Sequence, residues 1–189
     1  AWITLGLAAA SAIFAMVLFV PGADPSRVYY GTDTRAAGVL LGAVLAIVAP
    51  PWLMRARVRA NARLVLTAIG AVGLAGIALL MLTLDEYDSF VYRGGFILLD
   101  LFTLAAILGL AHPARTMLSR VFATRPLLWI GRRSYGIYLW HWPIFMLTRP
   151  GADVPLSGAP LLALRLALTF GAAEVSYRFV EMPVRNGAL

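Results

Sequence analysis

The sequence predicts an all-α protein, a polytopic membrane helix bundle of about six transmembrane helices with both termini cytoplasmic. Three observations carry that prediction. Of 189 residues, 61% are hydrophobic and only 13% charged, with a mean hydropathy of +0.82. Soluble domains are about 45–50% apolar and about 25% charged, so this surplus exceeds what one core can hide and must face lipid. The apolar residues fall into about six stretches close to the roughly 20 residues a helix needs to cross a hydrocarbon core about 30 Å thick. All 16 basic residues are arginines, and they gather in the short connectors between those stretches.

The expected spans are 2–20, 34–53, 64–84, 90–111, 127–148 and 160–181. The first is apolar from Trp2 onward. The second follows Thr32, Asp33 and Thr34, residue types that serve as helix N-caps. It carries Gly38 and Gly42 at the four-residue spacing that lets helix backbones approach, and the third carries Gly70, Gly73 and Gly76 for the same purpose. The fourth holds Asp100 near its middle, the fifth is rich in aromatic and polar residues, and the sixth contains Arg165 and Glu174. Trp2, Trp52, Tyr87, Tyr92 and Trp129 lie near span ends, where amphipathic rings form an interfacial belt.

The net charge of +7 raises nucleic acid as a partner, but the distribution of charge excludes it. Arg55, Arg57, Arg59, Arg63, Arg115, Arg120, Arg125, Arg132, Arg133, Arg178 and Arg185 fall on one face of the expected topology. The other face has Arg27, Arg35, Arg93, Arg149 and Arg165 against Asp24, Asp33, Asp85, Glu86, Asp88 and Asp153. That asymmetry marks the arginine-rich face as cytoplasmic. With no cysteine there is no disulfide framework or thiolate metal site. The chain starts at Ala1 without a basic leader or cleavage site, so it is expected to open partway through a longer protein.

Ionisable side chains inside a span are costly and face protein or water, which makes Asp100, Glu174 and Arg165 candidates for function. The densest constellation is in the fifth span, where Ser134, Tyr138, His141 and Phe145 share one helical face at spacings of three and four. Pro143 removes an amide donor and frees the Leu139 carbonyl beside His141, which predicts a kink. The bland alternatives stand beside these readings: Asp100 and Glu174 as structural bonds between helices, His141 as a packing residue. No metal motif is present. Glu181 and Arg185 are expected to pair and close the last helix.

Residues 129–145 (WIGRRSYGIYLWHWPIF) strongly resemble the late transmembrane signature of the bacterial acyltransferase 3 family. Residues 176–185 (SYRFVEMPVR) are similar to its final-helix motif, and residues 27–35 (RVYYGTDTR) to its mid-domain extracytoplasmic loop. The resemblance implies the C-terminal part of one acyltransferase 3 transmembrane domain over residues 1–189, in the bacterial inner membrane. It implies an O-acyltransferase that moves an acetyl or other short acyl group to a hydroxyl of a surface carbohydrate such as lipopolysaccharide or peptidoglycan. Acyl-CoA is the implied co-substrate, and no bound cofactor or metal is expected.

The implied partners are the lipid bilayer, acyl-CoA, the glycan acceptor and further N-terminal helices of the same polypeptide. The family's catalytic histidine follows an Arg or Lys by ten residues in an early helix, and no residue here corresponds to it; it is expected upstream of Ala1. Substrate contacts are assigned to Tyr138, His141 and Ser134 within the bundle and to Arg132 and Arg133 for donor phosphates, since guanidinium pairs bidentately with phosphate. Arg120 and Arg125 share that topology. Tyr30, Asp33 and Arg35, with Tyr29, are placed for the glycan, and Asp100 and Glu174 complete the set. The competing class is a transporter or non-catalytic scaffold in which Asp100, Glu174 and His141 form a polar path.

Overall fold

A computed structural model describes residues 1–55, 58–85 and 88–187; Glu86, Tyr87 and Arg57 lie outside the described residues. Each expected span is helical. In chain order the helices are α1 (Trp2–Leu18), α2 (Ser26–Tyr30), α3 (Thr32–Val48), α4 (Ala60–Thr83), α5 (Phe96–Ala111), α6 (Met117–Phe122), α7 (Arg125–Met146), α8 (Gly158–Ser176) and α9 (Met182–Arg185). Wider π-type turns, Val91–Gly95 and Tyr177–Glu181, join α5 and α9 to the residues before them. Four helical stretches among the described residues are long and apolar enough to cross a membrane: Ser26–Leu53, Ala60–Thr83, Val91–Ala111 and Gly158–Arg185. The first helix is shorter at 17 residues, and α7, at 22, is diluted by Arg125, Arg132 and Arg133. These features define a polytopic helical membrane protein.

The chain divides into two compact units, Ala1–Phe122 and Ala123–Leu189. In the first, α4 and α5 pack antiparallel along a seam of small residues. A Cβ on Gly70 would lie 3.1 Å from the Gly109 Cα, and one on Gly73 only 2.5 Å from the Ala106 nitrogen and the Phe102 oxygen. As α4 advances, its contacts on α5 retreat, so the glycines of the third span act as expected. The second pair behaves differently. Gly38 faces the Asp100 carboxylate instead of a backbone, and Gly42 has nothing within 4 Å of a built Cβ. In place of a close crossing, these glycines leave room.

Against α1, α3 is held by a buried polar link: Ser11 Oγ donates to the Asp33 carbonyl at 2.5 Å and accepts the Ala37 N–H at 3.2 Å. None of Thr32, Asp33 and Thr34 caps α3. Its N-cap is Gly31, because the Asp33 carboxylate is taken by Arg27 and the Thr34 hydroxyl bonds the Val28 and Gly31 carbonyls at 2.7 and 2.8 Å. Phe19 and Tyr92 stack at 4.6 Å in a small core with Ala15 and Val28. Tyr92 is only 3% exposed, so it is a core ring and not part of an interfacial belt. Trp2, by contrast, is 85% exposed. Large side chains outside and small ones inside are what lipid as solvent produces, since tails are as apolar as leucine and association relies on close packing.

In the second unit α7 and α8 form an antiparallel hairpin, with Gly136 against Ala173. Arg165 closes the far end of α7. Its Nε donates to Thr148 Oγ1 and its Nη2 to the Thr148 carbonyl, both at 2.9 Å, and it lies 4.4 Å over the Phe145 ring. A cation at a helix C-terminus satisfies orphan carbonyls and complements the dipole. The expected Glu181–Arg185 pair is present at 3.4 Å.

Candidate functional site

Within the first unit, α1, α3 and the start of α5 enclose a cavity of about 260 Å³. Its walls are mostly small or apolar, including Ala12, Ala15, Ala37 and Ile97, and its charged groups are Arg35 and Asp100. The first turn of α3 delivers Arg35, whose guanidinium lies 3.9 Å over the Phe96 ring and 5.5 Å over that of Tyr29. Such stacking holds a guanidinium in place through its face and leaves its edge donors open. One turn further along α3, Gly38 makes space for the half-buried Asp100: a Cβ there would stand 2.6 Å from its Oδ1. Among the described residues, neither side chain has a hydrogen-bond or ion-pair partner. A cation and a carboxyl thus face one largely apolar chamber, an arrangement suited to a neutral ligand with both an acceptor and a donor.

The rim of this unit is built by residues 27–35. Arg27 grips Asp33 bidentately at 2.9 and 2.7 Å, and Tyr30 meets Tyr29 edge-on at 4.9 Å. Tyr30 is 79% exposed and open to a ligand, whereas Asp33 is committed to Arg27.

In the second unit the structure separates two groups that the sequence places together. Arg133 is buried. It pairs with Glu174, which also takes Arg178, and its guanidinium sits 4.6 Å from the Trp129 ring and 4.3 Å from that of Tyr177. With its charge paired and two rings against its guanidinium, Arg133 is a clamp between α7 and α8, and Glu174 is its counter-charge. The adjacent Arg132 is exposed and retains its donors. Ser134, Tyr138, His141 and Phe145 do share one exposed face of α7. The Tyr138 and His141 rings lie 5.6 Å apart, and His141 Nδ1 hydrogen-bonds the Tyr138 carbonyl. That bond leaves Nε2 without a hydrogen-bond partner among the described residues. The helix continues through Pro143 to Met146.

The role of Tyr92 in lining the cavity was not legible, because a tyrosine at a span end looks like an anchor. The following Gly94-Gly95 pair was the available signal, since it falls in the wide turn Val91–Gly95 beside the cavity.

An integral-membrane bundle with ionisable groups held inside its helices is the class these features define. The chain belongs to the acyltransferase 3 family, whose model, described as an acyltransferase domain, matches residues 1–174. It is 43% identical over 184 residues to the peptidoglycan O-acetyltransferase OatA of Listeria monocytogenes, an alignment covering 97% of this chain and 29% of that protein. It is 35% identical over 174 residues to the O-acetyltransferase OatA of Staphylococcus aureus, covering 90% of this chain and 28% of that protein. The chain therefore spans less than a third of the length of these relatives. No solved structure matches it.

Proposed function

We propose that this chain is part of a membrane O-acetyltransferase of the bacterial inner membrane that acylates a hydroxyl of cell-wall carbohydrate, with acyl-CoA as donor. The observation that carries this reading is the 43% identity over nearly the whole chain to a protein named as a peptidoglycan O-acetyltransferase. The relatives' names favour peptidoglycan over lipopolysaccharide as acceptor.

In the proposed reaction the acceptor oxygen bonds to the thioester carbonyl carbon, the carbon–sulfur bond breaks, and the hydroxyl proton passes through a base to the departing thiolate. The products are an ester and free thiol. Such a reaction needs a base, donors for the developing oxyanion, and a binding site for each substrate. Here Arg35 supplies open donors at the chamber, Asp100 orients a donor group of the ligand, and Tyr30 meets the sugar at the rim. Tyr138 and His141 offer a hydroxyl and Nε2 on one exposed face for the same substrates. The base is assigned to the family's early histidine, to which no residue here corresponds.

The test is complementation. The full-length gene is expressed in a host lacking its own peptidoglycan O-acetyltransferase, and base-released acetate is measured on purified cell wall. Restored acetate is expected, with Asp100→Asn, Arg35→Gln and His141→Ala reducing it at unchanged membrane expression. Wild-type protein that restores no acetate on any cell-wall sugar would overturn the reading.

A further inference from the structure

A second polar concavity lies in the first unit, away from the Arg35 chamber. Between the start of α4 and the turn into α6 is an open cleft of about 360 Å³. Arg63, Thr67, Arg115 and Arg120 provide its polar lining, and Leu64 and Met117 its apolar wall. None of the three guanidinium groups has a carboxylate or hydrogen-bond partner among the described residues, whose ion pairs are all made elsewhere. Three like charges around one space repel each other, and nothing described in the chain neutralises them.

Backbone strain at the same place is an independent observation. Arg115 has φ 48°, and it is the one non-glycine residue with positive φ among the described residues. A side chain in that region is strained, and it persists only where the surroundings over-determine it. The surroundings do so here. The Ala114 N–H donates to His112 Nδ1 at 3.1 Å on one side. On the other, the fully buried Thr116 donates to the Gly109 carbonyl at 3.2 Å and accepts the Ser119 N–H at 3.1 Å. The turn is thus fixed from both ends so that Arg115 projects from a left-handed position into the cleft beside Arg63 and Arg120.

We infer that this cleft binds phosphate groups. Converging guanidinium forks match phosphate oxygens bidentately, and a ligand of charge −2 or more would remove the repulsion that the empty cleft carries. Two sources present this chemistry at a membrane protein: the phosphates of coenzyme A, and the headgroups of anionic lipids. The first deepens the function proposed above and rests on it. It also moves the expected donor contact from Arg133, whose charge is already met by Glu174, to Arg63, Arg115 and Arg120.

The experiment uses full-length protein in nanodiscs of phosphatidylcholine alone, with coenzyme A and dephospho-coenzyme A as probes and calorimetric titration as readout. Arg63→Gln, Arg115→Gln and Arg120→Gln are each compared with Arg149→Gln, a charge-matched control far from the cleft in sequence. Lysine variants at the three positions keep the charge without the fork, and melting midpoints check that each protein is folded.

Coenzyme A affinity at least tenfold weaker in the glutamine variants, and intermediate in the lysine variants, supports the cleft as the donor-phosphate site. Unchanged coenzyme A affinity with loss of phosphatidylglycerol co-purification, read by native mass spectrometry, supports it as a headgroup site. Wild-type coenzyme A affinity together with wild-type phosphatidylglycerol co-purification in all three glutamine variants overturns the proposal. The two readings fail separately: a protein that binds coenzyme A through these arginines yet acetylates no glycan refutes only the function, and glutamine variants that acetylate normally while keeping both coenzyme A affinity and phosphatidylglycerol refute only the cleft.

Discussion

Gly73→Ala is the sharpest test of how the first unit is held together. The added Cβ would lie 2.5 Å from the Ala106 nitrogen and the Phe102 oxygen and 3.0 Å from the Ala106 Cα. Ordinary carbon contacts are about 3.5–4.0 Å, so α4 and α5 must part locally by about 1 Å. The obstructing atoms are backbone and cannot rotate away. A gap of that size forfeits about a quarter to a half of each contact's attraction, and it spreads to the neighbouring Gly70–Gly109 crossing. Overpacking of this kind costs about 1–3 kcal/mol. We therefore expect a loss of about 2 kcal/mol, read as a lower melting midpoint. Gly42→Ala is the matched control, since nothing lies within 4 Å of its built Cβ. Both substitutions gain the same helix propensity of up to about 1 kcal/mol, so their difference isolates the packing. The assay is thermal unfolding of full-length protein in detergent, followed by far-ultraviolet circular dichroism. Equal shifts for the two variants would refute the close-crossing account.

Three further outcomes follow from the geometry. Glu174→Gln should lower the melting midpoint more than Arg178→Gln, because it strands the buried Arg133, whereas the Arg178 side chain is 68% exposed and can turn to water; the reverse order would show that the clamp is not centred on Glu174. Arg165→Ala should cost about 1 kcal/mol by uncapping the α7 carbonyls, with partial recovery in Arg165→Lys, measured by the same unfolding assay. The Asp153 carboxyl is held below the usual carboxylate range, chiefly by its hydrogen bond from Arg149. The lowered folded value means that the pairing stabilises the loop above the unfolded pKa of about 3.9 and is lost as pH falls through the folded one. Protection of residues 149–154 from hydrogen exchange should therefore persist at pH 5 and fade in stronger acid, and Arg149→Gln should move that loss to higher pH.

Helix existence was legible because lipid leaves a coarse signal: a span is a long apolar run, and all six runs are helical. What each small residue does was less so. Gly38 and Gly73 look alike in sequence, yet one faces a carboxylate and the other a backbone, and only the helix opposite decides which. The same holds for charge. Arg132 and Arg133 are neighbours in a motif, but a 100° turn of helix sends Arg133 into Glu174 and leaves Arg132 outside. Arg115 escaped notice as anything but a topology signal because its distinction is a backbone angle, which no residue type announces. The rim around Tyr30 and the exposed Tyr138–His141 face were visible in advance, since residue spacing alone puts their members together.

The Arg133 clamp also constrains recombination between relatives. The cluster draws on two stretches far apart in sequence: Trp129 and Arg133 from α7, and Glu174 and Tyr177, with Arg178 on Glu174, from the end of α8 and the turn beyond. A chimera joined anywhere between residues 146 and 158 inherits one half of this cluster from each parent. Unless the parents agree at these positions, the hybrid buries a cation without its acid or an acid without its cation. Exchanges between family members should therefore move α7, α8 and the final turn as one block, with the crossover placed before Trp129.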